Sequence, residues 1–470
     1  MQPSIWPRLL IVLLGTAVVP FDSAVNVAFP AIVSHFHLPI SAIQWVVIAY
    51  TLTYAALTLI CGRLGDVIGH KRVFLAGAAI SLIGFLGDAL APVFGGLLIA
   101  RIVQGIGAAL LLSCGAALAT ALYPETARVR ILGLYTMAFG LGGAAGPLLA
   151  GPLVGQFGWS SVFWFRVPLA AMAAIGGLFL PPSAARNTTA RFDAAGGVLF
   201  VAAVSAFVLA LGEAQPGAGG WLPGLTLAAA ATLAMALFLR RQTRTAQPII
   251  NVSLFRARDF RAVNGANLLL NLAAFALLLL LPFYLDRVAG LGARATGVLL
   301  ALSPGGLVVA APLAARLAGG LGRGRLARIG AGVLAGGQVL VLVAIATRVP
   351  PALLGGAMAL VGLGLGLFQL AYFDLVTGSM PLADRGVAGS LVMMTRTLGL
   401  VIGASVLMLV FRRLGGGGTA GFMAGLEAAL SLAAIVALAA VAWLWQGLRA
   451  NRELPDHDRC AGAKRSDSGA

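Results

Sequence analysis

The sequence predicts an all-α integral membrane bundle, two six-helix halves with two extra transmembrane helices between them, and three observations carry that prediction. Mean hydropathy is +0.97, with 60% hydrophobic and only 10% charged residues. A soluble globule is typically about a quarter charged, so this composition demands a hydrocarbon environment. Apolar runs able to cross about 30 Å of hydrocarbon recur along almost the whole chain. Finally, one spacing occurs twice: Arg63-Leu64, Gly69 and Arg72 early in the chain, and Arg316-Leu317, Gly322 and Arg325 late in it.

The first half, 1–181, holds candidate helices at 9–34, 41–62, 73–91, 95–122, 131–155 and 161–181. Arg8 followed by Leu9 to Val19 has the outline of a signal peptide, but the apolar run continues through Asp22 and Asn26 without a cleavage site and reads as helix 1. Spans 195–213 and 222–240 fall between the matching halves and form an insertion, 182–250. The second half, 251–448, holds 260–285, 295–317, 328–347, 352–378, 387–411 and 420–447, which brings the total to fourteen. Residues 449–470 lose apolar periodicity, collect charges and read as a disordered cytoplasmic tail. The repeat extends further: Tyr123-Pro124-Glu125-Thr126-Ala127-Arg128 aligns with Met380-Pro381-Leu382-Ala383-Asp384-Arg385, and Gly142/Gly146 then fall opposite Gly399/Gly403. Paired bundles of this kind put the substrate path at their interface.

Basic residues test the helix count, because a missed or invented span inverts every later loop. With both termini cytoplasmic, 24 of the 32 Lys and Arg fall in or at the edge of inside loops and five fall outside. The net charge of +17 follows from that asymmetry and from contact with anionic lipid headgroups. No basic run is interleaved with aromatics on a soluble face, so no nucleic-acid partner is expected. Cys61, Cys114 and Cys460 are scattered, and with four histidines they offer no disulfide or metal-ligand spacing. Gly105-Ile106-Gly107 and Gly362-Leu363-Gly364-Leu365-Gly366 lie inside spanning runs with no preceding strand, and no Walker-type loop occurs, so no nucleotide is expected. The Asn187-Thr188-Thr189 sequon falls in an inside loop and reads as accidental.

The motifs inside these runs are more specific. Gly62-Arg63-Leu64-Gly65-Asp66-Val67-Ile68-Gly69-His70-Lys71-Arg72 combines glycines for a tight reversal, a basic cluster that stays cytoplasmic, and Asp66, which can face the positive end of a following helix. It resembles the signature loop between helices 2 and 3 of the major facilitator superfamily. Phe21-Asp22-Ser23-Ala24-Val25-Asn26-Val27-Ala28-Phe29-Pro30 is similar to the first-helix signature of that superfamily's drug:proton antiporters. Arg101-Ile102-Val103-Gln104-Gly105-Ile106-Gly107 resembles its R-x-x-Q-G-x-G motif. Gly142-Gly143-Ala144-Ala145-Gly146-Pro147, continuing to Gly151-Pro152, resembles the antiporter branch's helix 5 element, with Ala150 where a glycine is commoner. Trp159 to Pro168 approximates a stretch of fourteen-helix antiporters, from which Ser160, Ser161 and Arg166 depart. Arg191-Phe192-Asp193 before helix 7 also suits that family, as does Arg396-Thr397-Leu398-Gly399.

Physical roles follow from burial. An ionised carboxylate in hydrocarbon is costly, so Asp22 is expected to face the bundle interior, pair with a cation or bind a proton, and Asn26, one turn on, is expected on the same face as a cavity residue that hydrogen-bonds Asp22 or substrate. Arg101 cannot shed its charge and needs a counter-charge. At 1.5 Å per residue Asp22 lies about 20 Å above the inner end of helix 1 and Arg101 about 9 to 15 Å below the outer end of helix 4, so the two share a level. Arg166 is an obligate charge near the outer end of helix 6, placed to snorkel or to face a cavity. Gly142 and Gly146 allow close helix contact, and Pro147 bends its helix. Asp66 is expected to act in a cytoplasmic latch with Lys71 or Arg72 reaching Glu125. That latch is one-sided, because Gly319 occupies the matching position in the second half. Asp374 and Arg396 lie at similar depth and are expected to pair, with Glu427 a further charged candidate. Tyr50, Tyr54, Gln104, Tyr135, Phe139, Phe368, Gln369, Tyr372 and Phe373 are candidate cavity residues.

The resemblance implies a monomeric, multi-pass transporter of the inner (cytoplasmic) membrane that exports small lipophilic molecules in exchange for protons. Its partners would be substrate, protons and membrane lipids, with the proton gradient in place of any cofactor and no enzyme activity. A dedicated exporter of one metabolite or antibiotic would use the same motifs. A membrane sensor on a transporter fold is the reading from another class, and Asp22, Arg101 and the Asp66 segment argue against it.

Overall fold

The computed structural model describes residues 6–121, 123–124, 128–181, 193–213, 222–245, 252–378 and 385–448, and among these all regular structure is helical. The first apolar run is broken in two. The sequence predicts one helix over 9–34, but α1 (Trp6–Ala17) stops before Pro20, a 3-10 turn covers Pro20–Ala24, and α2 (Val25–His35) resumes at a bend of 41°. Pro20 lacks the backbone donor and its ring crowds the preceding turn, which ends an α-helix. Asp22 therefore sits on the tighter turn at the break.

The rest of the first half is α3 (Ile43–Ile68), α4 (His70–Ala89), α5 (Phe94–Ala121), α6 (Arg128–Phe157), a single turn α7 (Ser161–Trp164) and α8 (Arg166–Leu178). Then come α9 (Ala194–Glu213) and α10 (Leu222–Gln242), followed by α11 (Arg258–Arg287), α12 (Ala293–Leu321), α13 (Arg323–Ala346), α14 (Pro351–Gly378), α15 (Arg385–Leu414) and α16 (Gly418–Gly447). Among the described residues twelve helices are long and apolar enough to cross a membrane, and the bent α1–α2 pair makes a thirteenth. The apolar part of α9, Ala195–Leu211, is shorter.

The signature segment differs from the expected loop. Residues Gly62 to Ile68 continue α3 as helix, and one residue, Gly69 at φ 95°, makes the reversal into α4. Gly322 at φ 72° does the same between α12 and α13. A side chain disfavours that backbone region, which is why both copies of the repeat carry glycine there. The Lys71 ammonium donates to the carbonyls of Leu178, at 2.8 Å, and Leu180, covering the unpaired C-terminal end of α8. Arg72 is exposed. The side chain of Asp66 and all of Glu125 lie outside the described residues, as do 182–192, 379–384 and the tail 449–470.

The two halves meet through α2 and α11, where Phe29 and Phe283 stack at 6.5 Å, and through α6 on α12 and α3 on α15. Helices α9 and α10 pair with each other and lean on α3 and α15 through α9. Asp193 ties the start of α9 to the end of α10. Its Oδ1 accepts the Gly196 N–H at 2.9 Å, capping α9, and Arg241 Nε at 2.5 Å, while Oδ2 accepts Gln242 Nε2 at 2.9 Å. Desolvation pushes this carboxyl up, but the donors from Arg241, Gly196 and Gln242 outweigh it and hold it below the usual carboxylate range. A depressed folded-state value stabilises above the unfolded pKa of about 4 and is lost as pH falls through the folded one. Thermal unfolding should therefore show a wild-type advantage over Asp193→Asn at neutral pH that shrinks as pH drops below about 4.

Candidate functional site

The break in the first helix aims Asp22 at α5 and α8. Arg101 Nη1 meets Asp22 Oδ1 at 2.6 Å and Nη2 meets Oδ2 at 2.7 Å, a two-point guanidinium–carboxylate pair. Arg166 Nη1 donates to the same Oδ1 at 2.9 Å. Gln104 closes the group, accepting from Arg101 Nη1 at 2.6 Å and donating to Asp22 Oδ1 at 3.1 Å. Backbone carbonyls anchor both cations: Val46 takes Arg101 Nε at 3.0 Å, and Val162 takes Arg166 Nε at 2.8 Å. Aromatic faces line the rest, with Arg101 4.4 Å from the Tyr50 ring centre and Arg166 4.7 Å from that of Phe85. The arginine side chains are 1% and 0% exposed and that of Asp22 is 17% exposed, so Asp22 is the least enclosed member of this ion group.

Two expectations change here. Arg166 neither snorkels nor faces a cavity; Asp22 and the Phe85 and Phe163 rings enclose it, because an unsheddable charge at that depth needs a counter-charge. Asn26 is buried but is not among the partners of Asp22, since the tighter 3-10 turn rotates α2 away from the face that four α-helical residues would give. One residue belongs to no motif. Asp88, in the last turn of α4, is 0% exposed, and neither carboxylate oxygen has a hydrogen-bond partner among the described residues. It lies within electrostatic range of Arg101, Arg166 and Asp22. Its one sequence signal is an acid inside the apolar run 73–91.

Arg101 makes contacts that only a planar fork can make together, so lysine should replace its charge but not its geometry. Losing charged hydrogen bonds worth about 1.5–3 kcal/mol each, Arg101→Lys should lower the unfolding temperature and cut transport by about tenfold or more. Initial transport rates in reconstituted vesicles check this.

The glycine element of α6 serves two partners. A Cβ on Gly142 would lie 2.8 Å from the Ala17 carbonyl, and one on Gly146 would collide with Ser23 Oγ and lie 3.1 Å from the Ala24 nitrogen. Ser23 in turn donates to the Gly143 carbonyl at 2.8 Å. So this face cradles the break that carries Asp22. One turn further, the Pro147 carbonyl and Gly151 sit against Gly297 and the start of α12, seating the second half.

In the second half Asp374 pairs with Arg323 at 2.6 Å on the exposed surface, not with Arg396. Arg396 instead stands 6.0 Å from the centre of the Phe139 ring, because equal depth does not give equal rotation about the helix axes. Glu427 is half-buried and forms no ion pair among the described residues. Phe368 and Tyr372 are wholly buried and stacked at 5.7 Å, so they are core rather than cavity wall. The Tyr372 hydroxyl donates to Asn264 Oδ1 at 2.8 Å and lies 3.0 Å from Thr395 Oγ1. Asn267 donates to Thr395 at 2.8 Å, Asn271 donates to Asn267 Oδ1 at 2.9 Å, and Gln369 donates to Asn271 at 3.2 Å. This amide ladder on α11 joins α14 and α15; its sequence signal is Asn264, Asn267 and Asn271 at helical spacing in an apolar run. Tyr54 lies 3.3 Å from Thr397 across the halves, Phe373 is exposed, and Tyr135 faces Thr16 and Gly115.

The sequence matches the family model described as Major Facilitator Superfamily over residues 12–404. The chain belongs to this superfamily. It is 30% identical to the tetracenomycin C resistance and export protein of Streptomyces glaucescens, over 87% of this chain and 77% of that one. It is also 30% identical to the multidrug resistance protein Stp of Mycobacterium tuberculosis, over 82% and 71%, and 28% identical to the riboflavin transporter RibZ of Clostridioides difficile, over 85% and 87%. Among solved structures a D-xylose-proton symporter superposes with a TM-score of 0.68 at 17% identity, covering 95% of this chain and 98% of that one, a likeness of fold. The protein is a multi-pass membrane transporter of this superfamily, and its relatives include antibiotic-resistance exporters.

Proposed function

We propose that this transporter is a proton-coupled exporter of small lipophilic compounds that spans the cytoplasmic membrane fourteen times with both termini inside. The observation that carries the reading is Asp22, a carboxylate held by two buried guanidinium groups at a break in the first helix. A proton arriving on Asp22 removes the charge that holds Arg101 and Arg166, and the freed guanidinium groups then favour a different packing of α5 and α8. Substrate and proton acting on that one group in turn would give exchange. The fourteen spans are the thirteen long ones plus α9.

A reading with one dedicated cargo draws support from the tetracenomycin and riboflavin names among the relatives. Everted membrane vesicles energised to an acid interior separate these readings. Ethidium, chloramphenicol and riboflavin are added in turn, and proton release is followed by dye fluorescence. Release with ethidium and chloramphenicol supports multidrug exchange, and release with one compound alone supports the dedicated exporter. No proton movement with any of them, while the compounds still cross, removes proton coupling.

A further inference from the structure

Asp88 is the buried ionisable group that the Asp22 ion group leaves unused. It lies one turn beyond Gly84, where α4 presses so closely on α5 that a Cβ would meet the Gln104 Cα at 2.7 Å, and three residues beyond Phe85, whose ring backs Arg166. The charged groups around it come from three other elements: Arg101 on α5, Arg166 on α8 and Asp22 on the 3-10 turn, with Tyr50 of α3 stacked against Arg101. Among the described residues both of its oxygens lack a donor, and Nη2 of Arg166, in the same buried cluster, lacks an acceptor. A carboxylate with no donor in a dry site pays the full desolvation cost, whereas the neutral acid pays far less. A guanidinium arm without an acceptor is the complementary orphan.

We infer that Asp88 is a second proton-carrying site, neutral in this arrangement, whose ionisation is satisfied by the free Nη2 of Arg166. Deprotonation leaves the Asp88 carboxylate and passes one proton to water. Arg166, already charged, then turns from Asp22 toward Asp88, and Asp22 keeps only Arg101 and Gln104. The two carboxylates thus compete for one arginine, so loading a proton on one favours releasing it from the other. This deepens the proton-coupled reading and rests on it.

Infrared difference spectra of purified protein across a pH step test it. A carbonyl band of a protonated, donor-free carboxylic acid should bleach as pH rises, vanish in Asp88→Asn, move in Asp88→Glu and, with Arg166 released from Asp22, bleach at lower pH in Asp22→Asn. Proton exchange per ethidium transported should fall about twofold in Asp88→Asn, which leaves Asp22 as the remaining proton-transferring group, and return in part in Asp88→Glu. A wild-type band that persists in Asp88→Asn, or no such band at any pH, overturns the assignment. If Asp88→Asn does not fold, the band in Asp88→Glu decides: displacement supports the inference and an unmoved band refutes it. Absence of proton exchange in wild type with every compound would instead sink the coupling reading, while the band still reports on Asp88.

Discussion

Asp22→Asn should reduce proton-driven export to background and, because of its two arginine partners, also cost stability. The amide preserves shape and can accept from one guanidinium, but it leaves Arg101 and Arg166 buried with their shared counter-charge gone. Removing one partner of a buried ion pair costs about 3–5 kcal/mol, so a lower unfolding temperature is expected alongside the loss of transport. The two effects can be separated. Asp22→Asn combined with Arg166→Gln removes one stranded charge and should recover much of the thermal stability while transport stays at background. Recovery of both would mean that Asp22 serves only to neutralise the arginines.

Gly146→Val should have an effect of similar size by a different route. The added carbons enter the space of Ser23 Oγ and the Ala24 nitrogen, and because one of those neighbours is backbone, the turn carrying Asp22 must move. Overpacking of this kind costs about 1–3 kcal/mol, and a shift of about an ångström at a working group can cost about a hundredfold in rate. Gly143→Ala is the internal control, since nothing lies within 4 Å of a Cβ there. The expected order of transport rates is wild type, Gly143→Ala close behind, and Gly146→Val far below. Equal rates for Gly146→Val and Gly143→Ala would show that the α6 cradle does not position Asp22.

The spans were legible because hydrocarbon imposes a simple length and composition rule, and the repeat because Gly69 and Gly322 both turn the chain at positive φ. Depth along a helix was legible too: counting residues put Asp22 and Arg101 at one level, and they form a two-point pair. Rotation about the helix axis was not. Asp374 and Arg396 also share a level, yet Asp374 turns to Arg323 on α13 and Arg396 turns to Phe139. The same gap hid Arg166, whose direction depends on the short turn α7, and Asn26, carried off the Asp22 face by the break at Pro20. Asp88 and the asparagine ladder lay outside every motif and stood out only once burial and partners were visible.

The most direct test is a pH gradient imposed on proteoliposomes that contain purified protein and no other energy source, with ethidium movement and internal pH read together. Proton-coupled exchange through Asp22 predicts that wild type moves ethidium only when the gradient is present, dissipates the gradient faster when ethidium is added, and loses both responses in Asp22→Asn. Ethidium transport of equal rate with and without the gradient, or a gradient response undiminished in Asp22→Asn, would contradict it.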